Sequence, residues 1–197
     1  MKITNLTAQK KDENRVNIFI DGKFVFSLSL QEVLDEKLKI GTELSDSDVS
    51  RLKKVSSDGK LKMRMVEWLA LRPRSERELR DYLRKKSVDE DLQIKLIETA
   101  QRYNWQNDEQ FTRWWIEQRT RKQRSKTYIK NELRSKGVSN EIINTAFAGS
   151  DFSEHDQLVT IIAKKRTLAK FTDDKKLIEY LMRQGYRYSD IVDALAE

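Results

Sequence analysis

The chain has 197 residues, a net charge of +7, 36% charged residues and a mean hydropathy of −0.77, a balance that suits small helical units with much solvated surface rather than one large apolar core. It holds no cysteine, which removes disulfides, thiolate nucleophiles and cysteine metal ligands. No apolar run approaches the roughly 20 residues needed to span a bilayer, and no secretory signal is visible at Met1–Lys10, so a cytoplasmic protein without membrane contact is expected.

Val16–Ile20 and Phe24–Leu28 are β-branched and aromatic runs on either side of Asp21-Gly22, a pair that adopts the positive φ angles of a type I′ hairpin turn. An isolated hairpin is marginal, and Ile3–Ala8 is the candidate third strand. A short helix is expected over Leu30–Leu38 and a break at Gly41. Ser45 with Asp48 forms a carboxylate variant of the capping box at the start of another helix. Leu61, Met65, Trp68 and Leu69 then fall on one helical face, which Arg72-Pro73 ends.

Beyond the proline the chain repeats itself. SERELRDYLRKKSV at Ser75–Val88 recurs without a gap as SKTYIKNELRSKGV at Ser125–Val138, and a fainter third copy places Leu177, Leu181, Gly185 and Tyr186 where Ile129, Leu133, Gly137 and Val138 stand in the second. A period of about 50 residues accommodates three short helices per unit, each unit needing a neighbour to cover its apolar face. Ser75 with Glu78 reads as a capping box, and Asn107 is an N-cap ahead of Phe111, Trp114 and Trp115. Gly137 supplies a left-handed helix stop. Trp115 and Trp68 read as core, Trp105 as a staple at the start of the helix that follows, and Trp114 equally as core or as a base-stacking platform. The predicted architecture is mainly α: tandem three-helix repeats at 56–104, 105–149 and 150–197 in an elongated, curved array, with an amino-terminal β-hairpin or sheet extension and short helices at 1–55. Gly149–Ser153 is the expected flexible joint.

Charge is concentrated in the middle repeat. Arg113, Arg119, Arg121, Lys122, Arg124, Lys126, Lys130, Arg134 and Lys136 are opposed between positions 113 and 136 only by Glu117 and Glu132, a surplus equal to that of the whole chain. From Phe171 to Glu197 the balance is −2. The middle repeat is therefore the candidate contact for a polyanion, because clustered guanidinium and ammonium groups displace condensed counterions from phosphates. A solvated helix face is the plainer reading of the same residues.

Catalysis finds little support. His155 is the only histidine, so neither a two-histidine metal site nor a histidine relay can be assembled within one chain. No G-x-x-x-x-G-K-[ST] loop occurs. Asp173-Asp174 suits a helix start, where the macrodipole favours acids, better than a metal site. No cofactor is expected.

Arg72-Pro73-Arg74-Ser75-Glu76 with Glu78-Leu79 and Leu83 resembles the first-repeat signature of the RecX family. Asn107-Asp108 leading into Phe111 and Trp115, with Glu132-Leu133 and Lys136-Gly137, resembles its second repeat. Leu181, Gly185-Tyr186, Tyr188 and Ile191 resemble its third. The likeness covers about residues 61–197, and the amino-terminal region resembles the extension of longer members. Arg119–Arg124 followed by Ser125 departs from the glycine-containing turn of many members. The resemblance implies a non-enzymatic regulator, mainly an inhibitor, of the RecA recombinase. Such a protein binds in the groove of the RecA–DNA filament and depresses ATP hydrolysis, strand exchange and co-protease function, and so acts in DNA repair, homologous recombination and the SOS response. Its expected partners are the RecA filament and DNA, single-stranded and weakly bound, with the chain itself a monomer. An autonomous DNA-binding transcriptional regulator with helix-turn-helix-like units is the alternative.

Overall fold

The computed structural model describes residues 1–10 and 12–196. Two compact units divide inside a long helix, at Trp68 and Leu69.

The first unit opens with an antiparallel sheet of β1 (Ile3–Gln9), β2 (Asp12–Ile20) and β3 (Lys23–Ser29) in sequential order. Asp21 and Gly22 have φ +47° and +82°, the two positive angles that a type I′ turn requires. Period-2 alternation turns Ile18, Ile20, Phe26 and Leu28 into a core shared with Leu38, Leu44, Val49 and Leu52. A reciprocal capping box between Ser29 and Glu32 starts α1 (Leu30–Asp35), and Lys37 at φ +52° stops the chain short of the predicted helix end at Leu38. Ser45 and Asp48 cap each other as expected, with Asp48 N donating to Ser45 Oγ at 3.1 Å and Ser45 N to Asp48 Oδ2 at 3.0 Å. The helix they start, α2 (Asp46–Ala70), runs unbroken across position 55, the expected edge of the extension. Gly59 is tolerated inside it because the Glu32 carboxylate lies where a Cβ would stand.

The second unit contains the repeats. Its helices are α3 (Glu76–Lys85), α4 (Glu90–Arg102), α5 (Asp108–Arg121), α6 (Lys126–Ser135), α7 (Asn140–Ala148), α8 (Glu154–Arg166), α9 (Asp174–Arg183) and α10 (Tyr188–Leu195), with a 3-10 turn at Ala169–Phe171. The middle helices α3, α6 and α9 share one set of termini. Ser75, Ser125 and Asp173 cap their amino ends. Ser87, Gly137 and Gly185 end them at φ +54°, +84° and +93°. The amides of Val88, Val138 and Tyr186 then return to the carbonyls of Leu83, Leu133 and Leu181, three Schellman motifs. The predicted third repeat extends to Glu197, which lies outside the described residues.

Phe111, Trp115, Ile129, Leu133, Ile143 and Phe147 form the core of the second repeat. Leu158, Ile161, Leu177, Leu181, Tyr186 and Ile191 form that of the third. Trp115 is buried as expected, whereas Trp114, Trp68 and Trp105 are half-buried, Trp105 stacking on Tyr103 at 5.0 Å between ring centroids.

Successive repeats meet at their middle helices. The Glu76 amide at the start of α3 donates to Asp108 Oδ1 of α5 at 2.8 Å, and the Lys126 amide at the start of α6 donates to Glu154 Oε1 of α8 at 2.7 Å. In each case the first residue of the next repeat's first helix satisfies an amide that α-helical geometry leaves open. Carboxylates are favoured there by the helix macrodipole as well. The carboxy end of α6 sets Gly137 against Arg77 of α3, and that of α9 sets Gly185 against Ser125 and Tyr128 of α6.

Candidate nucleic-acid interface

The nine basic residues singled out in the middle repeat fall into two groups. Four pair with carboxylates. Arg113 and Arg121 form exposed ion pairs along α5 with Glu109 at 3.7 Å and Glu117 at 3.2 Å, contacts that contribute little in water. Arg119 and Lys136 are drawn inward. Arg119 Nε donates to Glu132 Oε2 at 2.6 Å, and Lys136 Nζ donates to Glu78 Oε1 of the first repeat at 2.7 Å. Both cations lie over the Trp115 ring, 4.2 and 4.3 Å from its centroid, while the indole N–H donates to Glu132 Oε2 at 3.0 Å. The aromatic quadrupole and the two carboxylates hold these charges in place.

Glu78 corrects one sequence expectation. Its amide donates to Ser75 Oγ at 3.2 Å, but its carboxylate, expected to reach back to the Ser75 amide, instead takes a two-pronged contact from Arg72 and one from Lys136. Two cations outcompete one neutral donor. Burial works to raise the Glu78 carboxyl, but the bonds from Arg72 and Lys136 outweigh it and hold the group below its ordinary value of 4.5. Burial pushes Asp108 up from 3.8 despite its bonds from the Glu76 amide and Gln106.

The other five, Lys122, Arg124, Lys126, Lys130 and Arg134, make no ion pair among the described residues. Lys122 is exposed at the end of α5, and the Arg124 guanidinium lies 4.5 Å from the centre of the Tyr128 ring. Lys126, Lys130 and Arg134 stand at i, i+4 and i+8 on α6, a spacing that puts them on one face. Asparagines orient two of them: Lys130 Nζ donates to Asn144 Oδ1 at 2.8 Å, and Arg134 donates to Asn140 and Asn131, both at 2.9 Å. An amide at those positions fixes the cation without neutralising it. Burial, then the charges of Lys126 and Arg134, lower the Lys130 pKa from 10.5.

One residue of this surface is not signalled by the sequence. Arg187, the N-cap of α10, lines a cleft of about 390 Å³ with Lys126, Thr127, Lys130, Arg134, Glu154 and Asp190. It belongs to a stretch of the third repeat with a balance of −2, and the Gly185-Tyr186 turn brings it beside α6.

Three family models match: the regulatory protein RecX N-terminal domain over residues 1–45, the RecX first three-helix domain over 62–93, and the RecX second three-helix domain over 107–146. The regulatory protein RecX of Clostridium beijerinckii is 32% identical over 192 residues, spanning 94% of this chain and 90% of the relative. That of Bacillus licheniformis is 27% identical over 201 residues, spanning 99% and 76%. Among solved structures, a crystal structure of regulatory protein RecX superposes with a TM-score of 0.76 at 20% identity, covering 100% of this chain and 99% of the other. The crystal structure of RecX from Lactobacillus salivarius gives 0.59 at 19%, covering 71% and 94%. These two structures share the fold.

Proposed function

Because the chain belongs to the RecX family of regulatory proteins, we propose that it regulates the RecA recombinase by binding the RecA–DNA filament, without catalysis of its own. The observation that carries the reading beyond membership is the middle repeat, where five cations free of carboxylate partners among the described residues share one repeat of a stacked array. Arg113, Arg121, Lys122, Arg124, Lys126, Lys130 and Arg134 face phosphate or acidic filament surface in this reading. Arg119 and Lys136 belong to the same surface but act by fixing Trp115 and the neighbouring repeat.

Several repeats engaging neighbouring RecA protomers turn weak contacts into intramolecular ones, so a modest surface per repeat suffices. Depression of ATP hydrolysis, strand exchange and co-protease function follows if the bound protein favours one arrangement of protomers, since a ligand shifts a conformational equilibrium only by its differential affinity.

Fluorescence anisotropy of filaments assembled from a cognate RecA on labelled single-stranded DNA tests this. Saturable binding that weakens with added salt, alongside weak and sequence-independent binding to DNA alone, is the expected result. Tight, sequence-dependent binding to duplex DNA by the protein alone, with filaments ignored, would instead establish an autonomous transcriptional regulator.

A further inference from the structure

The cleft between α6 and the start of α10 gathers cations from two repeats without a carboxylate bridging them. Lys126, Lys130 and Arg134 come from the second repeat and Arg187 from the third. None of the four is in an ion pair among the described residues, although two acids share the cleft. Glu154 is engaged with the Lys126 amide at the amino end of α6, and Asp190 accepts from Ser189 Oγ at 3.1 Å. The neighbouring repeat therefore supplies acids whose hydrogen bonds go to a helix-end amide and a serine hydroxyl, while the four cations outnumber them and stay out of ion pairs among the described residues. Holding like charges close without a counterion is unfavourable, and the Asn140 and Asn144 contacts impose that closeness.

We propose that this cleft seats a nucleic-acid phosphodiester backbone, with Lys126, Lys130, Arg134 and Arg187 as its contacts and Thr127 as a neutral donor. The proposal rests on the reading that the chain works on a nucleoprotein filament, and adds that the third repeat, whose stretch from Phe171 to Glu197 carries a balance of −2, takes part in DNA contact through one arginine. Two features favour nucleic acid over an acidic protein surface. The three α6 cations form a row with a rise of about 6 Å between members, from four residues at 1.5 Å each, and a row of charges matches a linear polyanion. Tyr188, next to Arg187, is 60% exposed and offers a ring on which a base can stack.

The test is anisotropy of a labelled single-stranded oligonucleotide titrated with the full chain, as wild type, Lys130→Gln, Arg187→Gln, the double variant, and Lys85→Gln. Lys85→Gln is the control for net charge at an exposed position on the first repeat. Arg187 makes no side-chain capping bond, so its replacement leaves the start of α10 intact, which thermal melting checks. Each cleft variant is expected to weaken binding by about 3- to 10-fold, and the double variant to flatten the slope of log affinity against log salt by about 1.4, or roughly 0.7 per lost phosphate contact. Cleft variants indistinguishable from Lys85→Gln, with the wild type binding DNA in a salt-dependent way, would overturn the cleft while leaving the filament reading standing. Unchanged DNA binding with weakened filament binding would also overturn it, by assigning the cleft to an acidic protein surface. A wild type that shows no salt-dependent DNA binding overturns the seat as well, and its binding to preformed filaments then decides the filament reading separately.

Discussion

At the junction of the first and second repeats, Lys136 and Gly137 meet the amino end of α3 through charge: Glu78 binds Arg72 and Lys136, Lys136 lies over Trp115, and Arg119 and Glu132 close the network. At the junction of the second and third, Gln184 and Gly185 meet the amino end of α6 through neutral groups. The Ser125 amide donates to the Gln184 carbonyl at 3.1 Å, Ser125 Oγ donates to the Gly185 carbonyl at 2.6 Å, and Tyr186 Oη accepts from Gln157 while donating to the Gln123 carbonyl at 3.4 Å. Both junctions share the acid on the first helical amide and the glycine at the end of the incoming helix. The backbone plan and its acid are thus the repeated part, and the contacts of the incoming helix end finish it in two chemistries, one built on ion pairs and one on neutral hydrogen bonds.

The glycines give the largest expected effects. Gly185→Ala would place a Cβ 2.6 Å from Ser125 Oγ and 2.9 Å from Tyr128 Cβ at φ +93°. Gly137→Ala would place one 2.9 Å from Arg77 Cβ, with the flexible arginine stem as its next neighbour. Urea unfolding should show a loss of about 2–4 kcal/mol for Gly185→Ala and less for Gly137→Ala. Equal and small losses would mean that the helix ends do not depend on close approach.

Glu78→Gln comes next, with a loss of about 1–2 kcal/mol at neutral pH, because Arg72 and Lys136 keep their burial and lose their counter-charge. The folded Glu78 carboxyl is held below its ordinary value, so its stabilisation is present above that value and disappears as pH falls through the folded one. The gap between wild type and variant should therefore close in acid. Asp108→Asn should behave in the opposite sense. The raised Asp108 carboxyl favours the fold below its ordinary range and loses that contribution as pH rises through the raised value. The variant should compare best with wild type near neutrality and worst in acid. Melting curves between pH 3 and 7, on the order of the carboxyl range, check both signs.

Tyr186→Phe removes a hydroxyl from the neutral junction and should cost about 1 kcal/mol, with no change in that cost across the same pH range. A pH-dependent cost would break the contrast between the junctions. The smallest effect is expected at the end of α3, where Ser87 adopts φ +54° without being glycine. Ser87→Gly relieves left-handed strain but loosens the unfolded chain, for a net gain of a few tenths of a kcal/mol up to about 1.

Much of this was legible in the sequence because caps and stops are local. The Asp21-Gly22 turn, the Ser45, Ser75 and Asn107 caps, the Gly137 stop and the threefold spacing follow from side chains acting on nearby backbone. What was not legible depends on residues far apart in the chain. Gly59 has no local reason to stand inside a helix until Glu32 occupies the space beside it. Glu78 reads as half of a capping box until Lys136 arrives from 58 residues away. Arg119 and Lys136 are indistinguishable in sequence from their exposed basic neighbours, and only folding places them over Trp115. Arg187 gives no sequence signal because its cationic neighbours belong to another repeat.

The measurement that bears most directly on the central claim is ATP hydrolysis by a cognate RecA on single-stranded DNA as this protein is titrated in, with filament length followed in parallel. The account predicts that hydrolysis falls with added protein, at substoichiometric amounts with shortening filaments if ends are capped, or near stoichiometry on intact filaments if the groove is coated. Unchanged hydrolysis and unchanged filament length in the presence of folded protein would contradict it.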